Sequence, residues 1–310
     1  MSKNVIVFGG TGHQGQAFVN ALAAQNKSSA NPVWTIHLLA RNPEAPSAER
    51  LARLNGVKIV HSPHYMESPD EAFDAAGLEV GHVYGAFLVC GYMDGEKEVA
   101  QGVRVIKSAA AHGVKHIVFA SVMFDESKEF GDDGMDPKRD IERAIKETNM
   151  KWTMLRSCDF MDNWLPTDGT IGRVWRTILL NKAFKNHPDR ALPMVATRDI
   201  GRVGALAMTS GDKYLDQAIP VVGDLLTIPQ IKEIYFEVMG TDIVQSWGIT
   251  TSIALWSDAN TAKLAKFYDS DQGFGDIDLS LTKDVLPDIE NFRTFLERYK
   301  REQAVAKAMA

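Results

Sequence analysis

Three glycines near the start of the chain are spaced to hold a phosphate. Gly9, Gly12 and Gly15 punctuate the stretch Gly9-Gly10-Thr11-Gly12-His13-Gln14-Gly15, directly behind the apolar run Val5-Ile6-Val7-Phe8. Four consecutive apolar residues read as a strand buried on both faces, and Phe18, Ala21, Leu22 and Gln25 then recur at helical spacing. Strand, glycine turn and helix in that order leave the first N–H groups of the helix and its positive dipole end facing an open turn, which suits a pyrophosphate. Gly9 is expected to allow the tight turn, Gly12 the close approach of phosphates and Gly15 the packing of helix on strand, with Thr11, His13 and Gln14 as further contacts between them. The spacing is G-x-x-G-x-x-G and meets only part of the usual dinucleotide fingerprint, so a glycine-rich turn without a nucleotide is the alternative.

The tip of the next strand decides which dinucleotide. Asn31-Pro32 breaks the helical pattern, and Val33 to Ala40 reads as a strand ending at Arg41-Asn42-Pro43. A carboxylate at this position would bind ribose hydroxyls and repel a 2′-phosphate. None occurs before Glu44. Arg41 offers a planar fork to a phosphate, with Asn42 beside it, so the expected cofactor is NADP(H). The alternative is a solvated loop arginine.

Chemistry in the other half of such a site would come from Ser121 and Lys138. Ser121 follows a strand read from His116 to Ala120, at the C-terminal edge where open parallel sheets bind ligands. No G-x-S-x-G elbow surrounds it, so it is not read as a hydrolase nucleophile; a hydrogen bond to a substrate oxygen is the role open to it. Lys138 lies in the first turn of a helix running from Pro137 through Thr148, where the helix dipole favours anions. A cation there suits ribose hydroxyls, a developing alkoxide or proton transfer, against the alternative of a surface lysine paired with Asp136 or Asp140. Cys90, Cys158 and Phe160, near the ends of neighbouring strands, complete the candidate cofactor contacts. Tyr92, Met93, Phe124, Phe160 and Trp164 make an apolar wall for a small-molecule pocket or, equally, an interdomain core.

These groups need an alternation of strands and helices to position them. Further strands are read at Gly56–His61, Val83–Cys90 and Lys151–Arg156, with helices at Asp70–Ala76 and Glu96–His112, the latter presenting Val99, Val103, Ile106 and Ala110 on one face. Beyond Arg156 the rhythm loosens into helices at Gly172–Phe184, Asp199–Met208, Thr227–Met239, Ser257–Tyr268 and Asp288–Arg301. The fold class expected is α/β: a Rossmann doubly wound parallel sheet with a smaller C-terminal α/β substrate domain. Residues 1–156 would bind NADP, and 157–310 would be mainly a substrate or partner domain interleaved with the sheet.

Composition narrows the function. The 310 residues carry 34 Lys and Arg against 40 Asp and Glu, a net charge of −6. Direct nucleic acid binding is disfavoured, because no basic field is available. No apolar run approaches the ~20 residues that span a bilayer, and the first strand follows Met1-Ser2-Lys3-Asn4 with no room for a signal peptide, so the expected location is the cytoplasm, or the nucleus for a regulator. Cys90 and Cys158 are read as buried thiols, not a disulfide, and His61 and His64 as solvated loop residues without a third metal ligand.

Taken in order, these pieces resemble the NmrA-like family of atypical short-chain dehydrogenases/reductases, related to isoflavone-reductase-like enzymes. The resemblance is carried by residues 9 to 15, by Ala40-Arg41-Asn42, and by Glu98-Val99-Ala100-Gln101-Gly102 leading to Ala111-His112-Gly113-Val114-Lys115-His116-Ile117-Val118. Lys138 with Ile141-Glu142, Trp152-Thr153-Met154-Leu155-Arg156 through Phe160 and Asn163, Asp199-Ile200-Gly201, Lys266-Phe267-Tyr268 and Leu286-Pro287-Asp288 with Phe292 extend it over nearly the whole chain. It implies an NADP-preferring Rossmann domain and a smaller domain closing over the nicotinamide. Short-chain reductases usually carry Tyr-x-x-x-Lys; here Gly134 stands four before Lys138. In isoflavone-reductase-like relatives a lysine matching Lys138 is thought to serve in acid–base catalysis. In regulatory members the same scaffold reports dinucleotide redox state to a partner such as a transcription factor. Two departures stand out: Ser62-Pro63 replaces the usual adenine-side aspartate, and Arg156-Ser157 the common Arg-Pro.

Two functions follow as expectations. The first is an NADPH-dependent reductase of a small, largely apolar carbonyl or activated alkene, and the second a non-catalytic NADP(H) sensor that regulates a protein partner.

Overall fold

Short apolar runs flanked by amphipathic helices build a doubly wound sheet. In the computed structural model, β1 (Lys3–Phe8) buries Val5, Ile6, Val7 and Phe8 completely, and lies between β2 (Trp34–Ala40) and β4 (Val83–Leu88). The structure describes residues 2–26, 31–91, 95–124, 135–166, 170–247, 252, 256, 259–269, 274 and 277–309; Tyr92 and Met93, expected in the pocket, lie outside them. The seven strands run in the order β3-β2-β1-β4-β5-β6-β9, with β3 (Val57–His61), β5 (His116–Val122), β6 (Lys151–Ser157) and β9 (Gln217–Val221). Pairings from β3 through β5 are all parallel. Strand order reverses between β1 and β4, the switch point at which such sheets open a crevice for a ligand.

The chain divides into two bodies. The first comprises Met1–Val122, Met135–Arg156 and Arg198–Pro220. It holds the large sheet, α1 (His13–Ala23), α2 (Pro46–Ala52), α3 (Pro69–Ala75), α4 (Gly95–Ala111) and α5 (Asp136–Lys146). The second comprises Met123–Gly134, Ser157–Thr197 and Val221–Ala310. Within it β10 (Asp224–Leu226) pairs antiparallel with β8 (Leu192–Val195), and β7 (Asp159–Phe160) pairs parallel with β8. The apolar stripes of α6 (Thr170–Asn181), α8 (Ile228–Met239) and α11 (Phe292–Met309) meet in its core, with Trp164, Tyr235, Phe292 and Phe295 sealed from solvent. Between Arg198 and Pro220 the chain returns to the first body, where α7 (Thr197–Thr209) packs Gly201 against Ala17 and Phe18 of α1. The second body also carries α9 (Ala259–Tyr268) and α10 (Leu279–Val285).

Several elements differ from the expectation. The face of α4 is rotated: Glu98, Gly102, Val105, Ile106 and Ala109 form the sealed stripe, whereas Val99, Val103 and Ala110 are half-buried. A buried carboxylate and a glycine disguise that stripe in a hydrophobicity pattern. The last helix begins at Phe292 and runs to Met309, so Asp288 and Ile289 precede it. The short strands β7, β8, β9 and β10 carried no alternation long enough to be read.

Candidate functional site

The glycine elbow is built by close backbone contact. Gly9 has φ +77°, and a Cβ there would lie 2.9 Å from the Val89 carbonyl oxygen. A Cβ on Gly15 would come within 2.3 Å of the Gly9 carbonyl oxygen, which seats the helix on the turn. Gly12 differs, because a Cβ there would meet only the Gly9 oxygen at 3.4 Å. It is the N-cap of α1, no side chain caps that end, and the first turn holds no acidic residue. The free N–H groups and dipole therefore point at space that a phosphate can enter. Thr11 is half-buried, His13 is exposed, and the buried Oε1 of Gln14 has no hydrogen-bond partner among the described residues.

At the tip of β2, Arg41 and Asn42 are exposed. Among the described residues no carboxylate pairs with Arg41. Asn42 Oδ1 accepts the Glu44 backbone N–H at 3.0 Å in a turn that leads into α2. Two residues missed in the sequence brace this end. Burial pushes the Tyr65 hydroxyl up, opposed by the charge of Arg41 and a backbone hydrogen bond from Gly9, so the hydroxyl is tied to the elbow and feels the cation at the β2 tip. Arg50 of α2 donates to Gln16 Oε1, and Gln16 Nε2 donates to the Thr11 carbonyl at 2.6 Å, tying α2 to the elbow.

On the far side of the switch point, Lys138 is not a surface lysine. Its Nζ lies 2.5 Å from Glu98 Oε1, with side chains 16% and 5% exposed, and 5.5 Å from the centre of the Phe119 ring on β5. Neither Asp136 nor Asp140 is its partner: Asp136 pairs with Arg139 and Asp140 with Arg143. A Cβ on Gly102 would lie 2.9 Å from Ile141, so α4 and α5 touch where Gly102 leaves room. Cys90 sits by the same pair; burial pushes its thiol up to about 12, against the pull of Lys138, which leaves it no thiolate character at neutral pH. Ser121 lies inside β5, is buried, and donates its hydroxyl to Glu142 Oε1 at 2.6 Å. Arg156 holds that carboxylate through two hydrogen bonds, Nε to Oε1 at 3.1 Å and Nη2 to Oε2 at 2.8 Å.

Cys158, Phe160, Phe124 and Trp164 belong to the second body. Phe124 and Phe160 are half-buried, whereas Trp164 is fully buried and packs edge-on against Phe292. Asp159 accepts the Trp164 indole at 3.2 Å and the Trp175 indole at 2.8 Å. Burial pushes its carboxyl up to about 6, while those indoles pull it down. Cys90 and Cys158 are free thiols. Among the described residues no cluster of three His, Cys, Asp or Glu could hold a metal, and no helix is long and apolar enough to cross a membrane.

Strand order and glycine elbow define a Rossmann-type scaffold with an appended α/β body. The chain belongs to the NmrA-like family, whose model matches residues 1–287. A (4-alkanoyl-5-oxo-2,5-dihydrofuran-3-yl)methyl phosphate reductase of Streptomyces griseus is 29% identical over 222 residues, 71% of this chain and 67% of that one. The matched stretches span 34% to 67% of the length of the curated relatives. Among solved structures, NmrA, a negative transcriptional regulator in complex with NAD, superposes with a TM-score of 0.72 at 13% identity, covering 99% of this chain and 98% of that one. Triphenylmethane reductase of Citrobacter sp., complexed with NADP(H), gives 0.68 at 21% identity over 95% and 99% of the two chains.

Proposed function

We propose that this protein is an NADPH-dependent reductase of a small, largely apolar carbonyl or activated alkene. The observation that carries the reading is the pairing of an uncapped α1 N-terminus with a β2 tip whose cation, Arg41, meets no carboxylate among the described residues. A pyrophosphate fits the first and an adenosine 2′-phosphate the second. The room above Gly12 and the unpartnered Gln14 Oε1 are consistent with a dinucleotide seated there. Gly9, Thr11, Gly12, His13, Gln14 and Gly15 would hold the pyrophosphate, Arg41 and Asn42 the adenosine end, and Lys138, with Cys90 beside it, the nicotinamide half.

When bound, the reduced dinucleotide supplies a hydride. Lys138 orients a ribose hydroxyl and donates a hydrogen bond or proton to the oxygen that gains charge. In the second body Phe124 and Phe160, both half-buried, would offer an apolar substrate a surface, whereas Trp164, expected beside them, is sealed in the core against Phe292 and does not reach a ligand. Ser121 has committed its one hydrogen to Glu142, so the hydrogen bond to a substrate oxygen expected of it is not available in this arrangement. The Streptomyces and Citrobacter reductases support the enzyme reading. A second reading, an NADP(H) sensor acting on a partner protein, is favoured by Gly134 at the position of the usual catalytic tyrosine and by the likeness to NmrA.

The test is NADPH absorbance followed against quinones, aldehydes, ketones and enones, beside calorimetry of Arg41→Ala with NADPH and NADH. Multiple turnovers on one of these classes, with an affinity loss confined to NADPH, is the expected result. Equal losses for both dinucleotides would remove Arg41 as the selector. Tight binding without turnover, together with partner binding that changes with redox state, would favour the sensor.

A further inference from the structure

Lys138 is held in an electrostatically unusual way. In the first turn of α5 the helix dipole opposes its charge, and its surroundings are largely dry, so a compensating anion is needed. That anion comes from another helix. Glu98 occupies the sealed stripe of α4, where an apolar residue would fill the core at no desolvation cost, and its Oε1 lies 2.5 Å from Lys138 Nζ. Among the described residues the same oxygen makes no aligned hydrogen bond, so the contact is an ion pair. One turn further along both helices, Gly102 meets Ile141, and this backbone spacing brings the two charges together. The ammonium has three donors, and among the described residues its partners are one carboxylate oxygen and the Phe119 ring face. N–H directions are left for a ligand.

We propose that Glu98 is a positioning residue that holds the Lys138 ammonium for the nicotinamide ribose. The assignment rests on the reading of the scaffold as NADP(H)-binding. With pyrophosphate at the β1 elbow and adenosine on the β2 side, the nicotinamide riboside takes the β4–β5 side of the switch point, where Lys138 stands beside Phe119. Glu98 acts through Lys138, and its removal leaves the adenosine end untouched.

The experiment is calorimetry of the full chain with two probes, NADPH and adenosine 2′,5′-bisphosphate, which lacks the nicotinamide half. Lys138→Met and Glu98→Gln should each weaken NADPH about fivefold to tenfold, the worth of one hydrogen bond, and leave the bisphosphate within about twofold. The double variant should bind NADPH no more weakly than Lys138→Met alone. Should Glu98→Gln fail to fold, Glu98→Asp keeps the buried charge but shortens its reach, and the same selective loss is expected. Unchanged NADPH affinity in the Glu98 variants beside a weakened Lys138→Met would overturn the proposal. So would equal losses for both probes in a folded Glu98 variant. Wild-type protein that binds neither probe would instead sink the NADP(H) reading itself.

Discussion

Arg156 and Glu142 meet through two parallel hydrogen bonds of 3.1 and 2.8 Å, one helical turn beyond Lys138. The carboxylate also accepts the Ser121 hydroxyl, so β5, β6 and α5 are fastened at a single buried point. Glu142 is 3% exposed in its side chain. Arg156→Met leaves that charge unpaired and should destabilise by about 3–5 kcal/mol, whereas Ser121→Ala should cost about 1 kcal/mol. Urea unfolding midpoints separate the two, and equal shifts would show that water reaches Glu142.

The glycine elbow yields a paired prediction. In Gly15→Ala the new Cβ would stand 2.3 Å from the Gly9 oxygen and 2.5 Å from the Gly10 Cα, neither of which can swing away. A stability loss of about 1–3 kcal/mol is expected. Gly12→Ala meets only the Gly9 oxygen at 3.4 Å. Its stability should stay within about 1 kcal/mol, because only an N-cap residue is exchanged, while NADPH affinity falls at least about tenfold. Melting curves and calorimetry on the same samples check both; full NADPH affinity in Gly12→Ala would move the phosphates elsewhere.

Lys138→Met should lower turnover about a hundredfold on whichever substrate the panel identifies, in the range of general acid catalysis. The Michaelis constant for that substrate should move far less. Steady-state kinetics decide it, and unchanged turnover would confine the Lys138–Glu98 pair to structure.

Acid should loosen the first body through two buried histidines. Burial pushes His37 and His116 from 6.5 down to about 4. His37 Nε2 meets Asn4 Oδ1 at 3.0 Å; His116 Nε2 meets Thr153 Oγ1 at 2.9 Å, and that hydroxyl donates to the Tyr214 carbonyl at 2.7 Å. Both rings are neutral in the fold, so the unfolded chain takes up protons first. Their contribution is complete above 6.5 and is lost as pH falls towards about 4. It amounts to at most about 3 kcal/mol each. Asp159 in the second body runs the other way, its contribution complete below 3.8 and lost as pH rises through about 6. His116→Gln should flatten the loss on acidification, read as urea midpoints at about pH 7 and about pH 5. A slope equal to that of the wild type would mean that His116 titrates alike in both states.

Much of this protein was legible in one dimension. Val5 to Phe8, the glycines behind them and the acid-free stretch up to Arg41 specify a buried strand, an open helix end and a cation in sequence-local terms. Local backbone and dipole physics suffices for such groups, which is why the elbow, the parallel strands and the family could be read from the chain. Glu98 could not be read this way, since a charge inside an apolar stripe carries no periodic signal. Tyr65 lay in an undistinguished loop, and the short strands of the second body gain their pairing only from partners distant in sequence. The sequence by itself determined the dinucleotide-type scaffold and the residues at its edge. Tertiary packing alone decided that Lys138 faces Glu98, because an ion pair between helices depends on how closely two backbones approach, here at Gly102 and Ile141, and that Ser121 of β5 is bound to Glu142, because α5 is laid across that strand.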